Sequence, residues 1–211
     1  YNKVVDLNNK DKNEILKSPI NTSDFKNSIG IDELYGDTDF SLIERITTRP
    51  TLDVNGIYGG YTGEGSKTVL PSEAHAKISM RLVPKQDWKE ISDLFKQYVL
   101  NFIPKSVTAT IKTHHGAEPY VTPTNSIAYE AAILAYKKSF GVAPFQQRGG
   151  GSIPIVPIFE KELGVKSILM GFGLDSDAIH SPNEHFGLFN FFKGIETIIY
   201  FYEFYTNKFS R

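Results

Sequence analysis

The sequence predicts an α/β protein in two parts, a two-layer α/β sandwich followed by the remaining part of a second α/β domain. Residues 51–120 follow the order strand, strand, helix, strand, whereas helices alternate with short apolar segments after Pro123. The last predicted helix is apolar nearly all round, and such a helix needs cover on most sides. The strands predicted here are too few to cover it, so we expect the second part to be half of a domain.

The first part begins with a polar stretch up to about residue 50, which we expect to be irregular connecting structure with short helices. Apolar and polar residues then alternate through 74–83, as is typical of a half-buried strand. Asp87 with Glu90 predicts a helix start. The predicted elements are, in order, helices around 10–18 and 22–29, a strand at 51–57, a Gly-rich loop at 59–65, a strand at 74–83, a helix from Trp88 and a strand at 107–112.

The second part is predicted from its helix stops and apolar runs. Gly141 and Gly164 each follow a helical pattern, which indicates the end of a helix. The predicted elements are a helix at 126–140, a short strand at 144–147, a helix at 153–163, a strand at 166–171 and a helix at 186–205.

The amino-acid composition excludes several classes of function. The 211 residues are 40% hydrophobic and 22% charged, as in ordinary globular proteins, and the net charge of −1 argues against a nucleic-acid or anionic-membrane surface. The absence of Cys excludes disulfides and thiolate metal sites, so His, Asp and Glu must hold any metal. No apolar run is long enough to span a bilayer. The start at Tyr1 is neither an initiator Met nor a signal peptide, and it suggests a piece of a longer protein.

The segment 148–154 is the strongest local candidate for a binding site. Its glycines allow close approach of a ligand, and Ser152 stands at the N-cap position with Pro154 in the first helical turn. Free N–H groups at such a helix start suit a carboxylate or a phosphate. A tight strand-to-helix turn in which Ser152 only caps the helix would explain the same residues.

Two further candidates depend on single side chains. His180 follows Asp175 and Asp177 in a loop at the predicted carboxyl end of a strand, where α/β active sites gather, although a lone His is often structural. Arg81 lies on the polar face of its strand and could bind a carboxylate with two hydrogen bonds, and Thr68 could add a hydroxyl. A surface Arg paired with an acid is the simpler alternative.

Together these motifs resemble one family, the co-catalytic zinc peptidases that include carnosinase-like dipeptidases, aminoacylase, glutamate carboxypeptidase and succinyl-diaminopimelate desuccinylase. The resemblance extends from Arg49 nearly to the end of the chain. The motifs that carry it are Arg49-Pro50-Thr51-Leu52, Asn55-Gly56-Ile57 with Gly59-Gly60-Tyr61, Lys67-Thr68-Val69-Leu70-Pro71, Arg81-Leu82-Val83-Pro84, Gly150-Gly151-Ser152-Ile153-Pro154 and His180-Ser181-Pro182-Asn183-Glu184. Each motif is weak alone, but their common order makes the resemblance specific.

The resemblance implies a two-layer α/β sandwich lid (dimerisation) domain at 1–122, lacking its first elements, and the C-terminal part of a three-layer α/β zinc-peptidase catalytic domain at 123–211. It implies that His180 is a zinc ligand and that Arg81 and Thr68 bind the substrate carboxylate. The residues implied to line the same pocket are Gly150, Gly151 and Ser152.

The resemblance also implies two zinc ions in the full-length enzyme, a dipeptide or N-acyl amino acid as substrate, a homodimer formed through the lid, and a cytoplasmic protein. The family's other metal ligands and its general-base Glu would lie in a missing N-terminal half. His180 alone cannot build a two-zinc site, so we expect this chain to be inactive by itself.

Two other classes remain open from the residues. One is a non-catalytic dimerisation or ligand-binding module, whose exposed strands pair with a second copy. The other is a serine hydrolase using Ser152, His180 and Asp177, although the segment lacks the second Gly of a nucleophile elbow.

Overall fold

The structure is a computed structural model that describes residues 4–149 and 153–209. The described chain divides into two units, one reaching to Tyr120 and including 147–157, the other made of 121–146 and the residues from 158 onward. The elements are α1 (Asn9–Ile15), α2 (Thr22–Ile29), α3 (Leu42–Thr48), β1 (Thr51–Gly59), β2 (Ala74–Arg81), α4 (Trp88–Phe102), α5 (Ile127–Phe140), α6 (Ile155–Leu163), a 3₁₀ turn (Asp175–Asp177) and α7 (Leu188–Phe209). None of the helices in the described ranges is long and apolar enough to cross a membrane.

The sheet of the first unit is the antiparallel pair of β1 and β2. Thr51 pairs with Arg81 at one end and Gly59 with Ala74 at the other, with an irregularity between Val54 and Gly56. The prediction of a half-buried β2 is wrong for this chain, because seven of its eight residues, Ile78 among them, are exposed. Within the described ranges no helix packs extensively against the sheet, so the apolar side chains of β2 lack cover.

Three predicted strands do not form. The segments 107–112, 144–147 and 166–171 lie outside any strand or helix in the structure. A strand exists only when a neighbour completes its hydrogen-bonded ladder, and within the described residues the sheet contains β1 and β2 alone. An alternating or apolar segment has the residues of a strand, but its sequence does not show whether a second strand lies beside it to pair with it.

The N-terminal stretch is more ordered than the sequence predicted. α1 and α2 form where short helices were expected, but α3 contradicts the expectation of irregular structure around residue 45. α3 begins with a capping box in which the Ser41 hydroxyl accepts from the Glu44 N–H and the Glu44 carboxylate accepts from the Ser41 N–H at 2.9 Å. Lys12 of α1 lies 3.0 Å from the same carboxylate and joins the two helices.

The second unit is built on the packing of α5 against α7. α5 is capped by Ser126 and ends at Gly141, whose φ of 80° is left-handed. The side chains of Ala131 and Ala135 are fully buried, so the two helices approach closely. Across this contact, the buried hydroxyls of Ser139 and Thr197 lie 2.5 Å apart.

α7 presents a large apolar surface to solvent. Leu188 is 73% exposed, Phe189 68% and Phe192 63%. The same helix and the segment before it line an open apolar groove of about 380 Å³ that includes Phe172, Phe186 and Ile195. This agrees with the expectation that the second part does not cover its last helix.

The buried hydroxyl pair gives a prediction for stability. Thr197 is fully buried, and its hydroxyl bonds both Ser139 and the Lys193 carbonyl. T197V removes both bonds at nearly constant shape and should destabilise the second unit by about 1–3 kcal/mol. The loss in the free energy of unfolding is measured by denaturant titration, with the amide protection of α5 and α7 as the signal. In the double variant S139A/T197V the combined loss should be smaller than the sum of the two single losses, and additive losses would contradict the coupling.

The capping box predicts how the stability of α3 depends on pH. The Ser41 hydroxyl, with further help from the Ser41 N–H and Lys12, holds the pKa of the Glu44 carboxyl below its ordinary value, although burial opposes this. The stability that this carboxylate contributes is therefore present at neutral pH and is lost as pH falls through the folded-state pKa. E44Q should destabilise α3 by about 1 kcal/mol at pH 7, and the difference should shrink in acid. Amide exchange of α3 measures the difference in stability between the wild type and E44Q. E14Q, which removes the carboxylate of an exposed ion pair, is the control. A difference that is equal at all pH values would contradict the prediction.

Candidate functional site

The predicted carboxylate-binding residues of the first unit are open to solvent. Arg81 is the last residue of β2 and is exposed, and Thr68 lies exposed in the loop that joins β1 to β2. Arg81 has no ion pair with any acidic residue that the structure describes. The binding of a carboxylate by Arg81 and Thr68 stays a prediction.

Gly150, Gly151 and Ser152 fall outside the described residues. The flanking residues are described: Arg148 donates from Nη2 to Asp11 Oδ2 at 2.7 Å, and α6 begins at Ile155, two residues later than predicted. The ion pair joins positions 137 residues apart in the sequence and lies within the first unit. Neither Asp11 nor its pairing with Arg148 was predicted, because a single Asp in a polar segment carries no signal of its distant partner.

The third candidate, His180, lies in the second unit on the loop that leads into α7. Its side chain is exposed, and its backbone φ of 64° lies in the left-handed region that non-glycine residues seldom adopt. The His180 N–H donates to Glu184 Oε2 at 3.3 Å. Glu184 therefore holds the His180 backbone, rather than complementing the dipole of α7, which begins at Leu188.

Asp177 is the most buried acid near His180. It is 3% exposed, and its Oδ2 accepts from the Leu174 N–H at 2.8 Å. The imidazole that faces it is that of His185, whose Nε2 lies 3.9 Å from Asp177 Oδ1. Among the described residues, the carboxylate of Asp177 therefore contacts Leu174 and His185, and not the His180 imidazole that a serine-hydrolase triad requires.

The donor set of the described residues fits part of a metal site. An exposed imidazole such as that of His180 can serve as one of the four ligands that zinc prefers. Across 4–149 and 153–209, however, no group of three or more His, Asp or Glu side chains lies close enough together to hold a metal ion. These residues can thus contribute a ligand but do not by themselves complete a zinc site.

The resolved pKa shifts elsewhere belong to structural contacts. Burial raises the pKa of the Tyr136 hydroxyl to about 12, and this hydroxyl donates to the Gly171 carbonyl at 2.9 Å. The Tyr136 ring stacks on Phe172 with ring centres 5.4 Å apart, so it holds the segment around Phe172 against α5. Burial also raises the pKa of Glu118, with a second contribution from the negative charge of Asp87.

Comparison with known proteins assigns the family. Residues 4–107 match the peptidase dimerisation domain of the M20 family. The chain is 32% identical over 177 residues, or 82% of its length, to a Cys-Gly metallodipeptidase of Schizosaccharomyces pombe, of which it covers 37%. It superposes with a TM-score of 0.84 on an M20 family metallo-carboxypeptidase from Sulfolobus solfataricus, at 30% identity over 97% of this chain and 47% of that one. Human carnosine dipeptidase 1 gives a TM-score of 0.84 at 25% identity over 98% of this chain and 44% of that one.

The fold and these matches confirm the predicted α/β fold class and the predicted resemblance to the metallopeptidases. Residues 4–107 match the M20 peptidase dimerisation domain, and the curated relatives of the chain include Cys-Gly and β-Ala-His dipeptidases. It spans less than half the length of the relatives that it matches.

Proposed function

We propose that this chain is part of a zinc metallopeptidase that hydrolyses the amide bond of dipeptides or N-acyl amino acids, and that it supplies substrate recognition and one metal ligand. The observation that supports the proposal is the structural match to an M20 family metallo-carboxypeptidase over 97% of the chain. Exposed Arg81 without a described acidic partner and exposed His180 are the features that such a role requires.

The residues of this chain have separate tasks in the proposal. In the lid domain, proposed at 1–122, Arg81 binds the substrate carboxylate with two parallel N–H donors and Thr68 adds its hydroxyl. The Gly150–Gly151 backbone and the Ser152 hydroxyl are proposed to bind the same carboxylate.

In the catalytic part, proposed at 123–211, His180 is the metal ligand. Two zinc ions supply Lewis-acid chemistry at the scissile amide when they are bound. The general base and the remaining ligands are proposed to lie in the N-terminal half of the full protein. The full protein is proposed to be a cytoplasmic homodimer formed through the lid.

The role of Arg81 can be tested on the chain itself by ligand binding. A dipeptide with a free carboxylate should bind more tightly than its C-terminal amide, and R81A should abolish this preference, which corresponds to a loss of about 10-fold or more in affinity for the free acid. R81K should recover only part of it, since it keeps the charge but loses the planar pair of donors. Chemical-shift titration of the Arg81 and Thr68 signals measures both affinities.

The matched control for Arg81 is K77A, because Lys77 is also exposed on β2 and its removal changes the charge by the same amount. The preference for the free carboxylate should survive in K77A. Retention of the full preference in R81A would show that Arg81 does not bind the substrate carboxylate.

Catalysis is tested by hydrolysis. The 211-residue chain with added zinc should release no amino acid from a dipeptide, because the described residues do not complete a metal site. Addition of the proposed N-terminal half should produce chelator-sensitive hydrolysis. Robust hydrolysis by the chain alone would refute the division of labour.

A second candidate is a non-catalytic dimerisation or ligand-binding module. It is favoured by the dimerisation-domain match at 4–107 and by the uncovered two-stranded sheet. Sedimentation that shows a stable dimer, together with no affinity for the N-terminal half, would favour this candidate over the peptidase.

A further inference from the structure

The loop from Leu174 to Glu184, together with His185, is called the His180 loop. It contains three non-glycine residues with left-handed backbone: Ala178 at φ 55°, His180 at 64° and Asn183 at 63°. Such a conformation costs an L-residue free energy, more for Ala than for Asn, and it persists only where surrounding bonds determine it. Three of them within six residues mean that this loop is held in place and has not merely settled into a relaxed turn.

Asp177 makes the bonds that close the His180 loop at both ends. Its carboxylate accepts from the Leu174 N–H at 2.8 Å, and its own N–H donates to the Leu174 carbonyl at 3.0 Å. On the other side, the Asp177 carbonyl accepts from the His185 N–H at 3.0 Å. One residue therefore fixes the entry and the exit of the loop.

Within this frame the bonds converge on His180. The Ser181 N–H donates to the Ala178 carbonyl at 2.9 Å, and the Glu184 N–H donates to the Ser181 carbonyl at 3.2 Å. This second bond places Glu184 so that its carboxylate accepts from the His180 N–H at 3.3 Å. The left-handed backbone of His180 thus depends on a chain of bonds that begins at Asp177.

Asp177 is buried, unlike most acidic residues in surface loops. It is 3% exposed, whereas Asp175 in the same 3₁₀ turn is exposed. Burying a carboxylate is costly unless its bonds offset the lost hydration. A residue that served only to start a turn could remain at the surface, as Asp175 does.

We propose that Asp177 is a positioning residue for His180: its buried carboxylate and its carbonyl fix the loop so that the His180 imidazole is presented in one place for metal binding. The inference rests on the proposed function in that His180 is taken as a metal ligand. Asp177 itself acts through the backbone and does not touch the metal.

The test uses D177A, with D177N as the conservative variant and D175A as the matched control. D177A should accelerate amide exchange at His185 and His180 about 10-fold or more and should change the HN–Hα coupling of His180, which reports its φ. D177N keeps a carbonyl oxygen that can accept from Leu174, so it should restore most of the wild-type values. D175A should leave all of them unchanged. Amide protection in α5 and α7 shows in each variant whether the unit is still folded.

Zinc titration gives the readout that a purely structural role would not move. In the wild-type chain combined with the proposed N-terminal half, zinc should shift the His180 imidazole signals, and D177A should weaken this response about 10-fold while α5 and α7 remain protected. Unchanged coupling and exchange at His180 in folded D177A would overturn the positioning role, whatever zinc does. If D177A unfolds the helices, unchanged His180 values in folded D177N would support the role and altered ones would overturn it.

The positioning role of Asp177 and the metal-ligand role of His180 are contradicted by different results. If zinc leaves the His180 signals of the wild-type chain unmoved in the presence of the proposed N-terminal half, while D177A still alters the loop, Asp177 fixes the loop but the metal-ligand function of His180 is refuted.

Discussion

The packing of α5 against α7 is the contact on which the second unit depends. Alanines at the interface let the two backbones approach, and the buried Ser139–Thr197 hydroxyl pair fixes their register. The His180 loop runs directly into α7, and Tyr136 of α5 bonds the Gly171 carbonyl just before that loop begins. The candidate metal ligand is therefore attached to this helix pair at both ends of its loop, and its position follows from how the pair packs.

The helices could be predicted from sequence because their signals are local. Ser126 and Gly141 bound α5, and Asp87 caps α4 by accepting from the Lys89 and Glu90 N–H groups. α3 could also have been found, since Ser41 and Glu44 have the spacing of a capping box. The strands at 107–112, 144–147 and 166–171 were wrong because a strand depends on a neighbour that the local pattern cannot supply.

The candidate site divides in the same way. Residue type and motif order pointed to Arg81, Thr68 and His180, and the structure places all three at the surface, where a ligand can reach them. From the sequence, Asp177 was only a neighbour of His180 and a possible triad member. Its carboxylate accepts from the Leu174 N–H and its carbonyl accepts from the His185 N–H, and both bonds depend on a loop conformation that residue types do not specify. Left-handed φ at a His likewise has no sequence signature, whereas at a Gly it would have been expected.

The uncovered face of α7 has a consequence for the cell that makes this chain. Side chains such as Leu188, Phe189 and Phe192 form an exposed apolar surface, and surfaces of this kind bind folding chaperones and drive self-association. Until that apolar surface of α7 is covered, its burial, the binding of chaperones and degradation compete to set the lifetime of the polypeptide. Abundance would then report on assembly: a substitution that leaves every proposed ligand-binding residue intact could still abolish function by delaying the burial of this one helix.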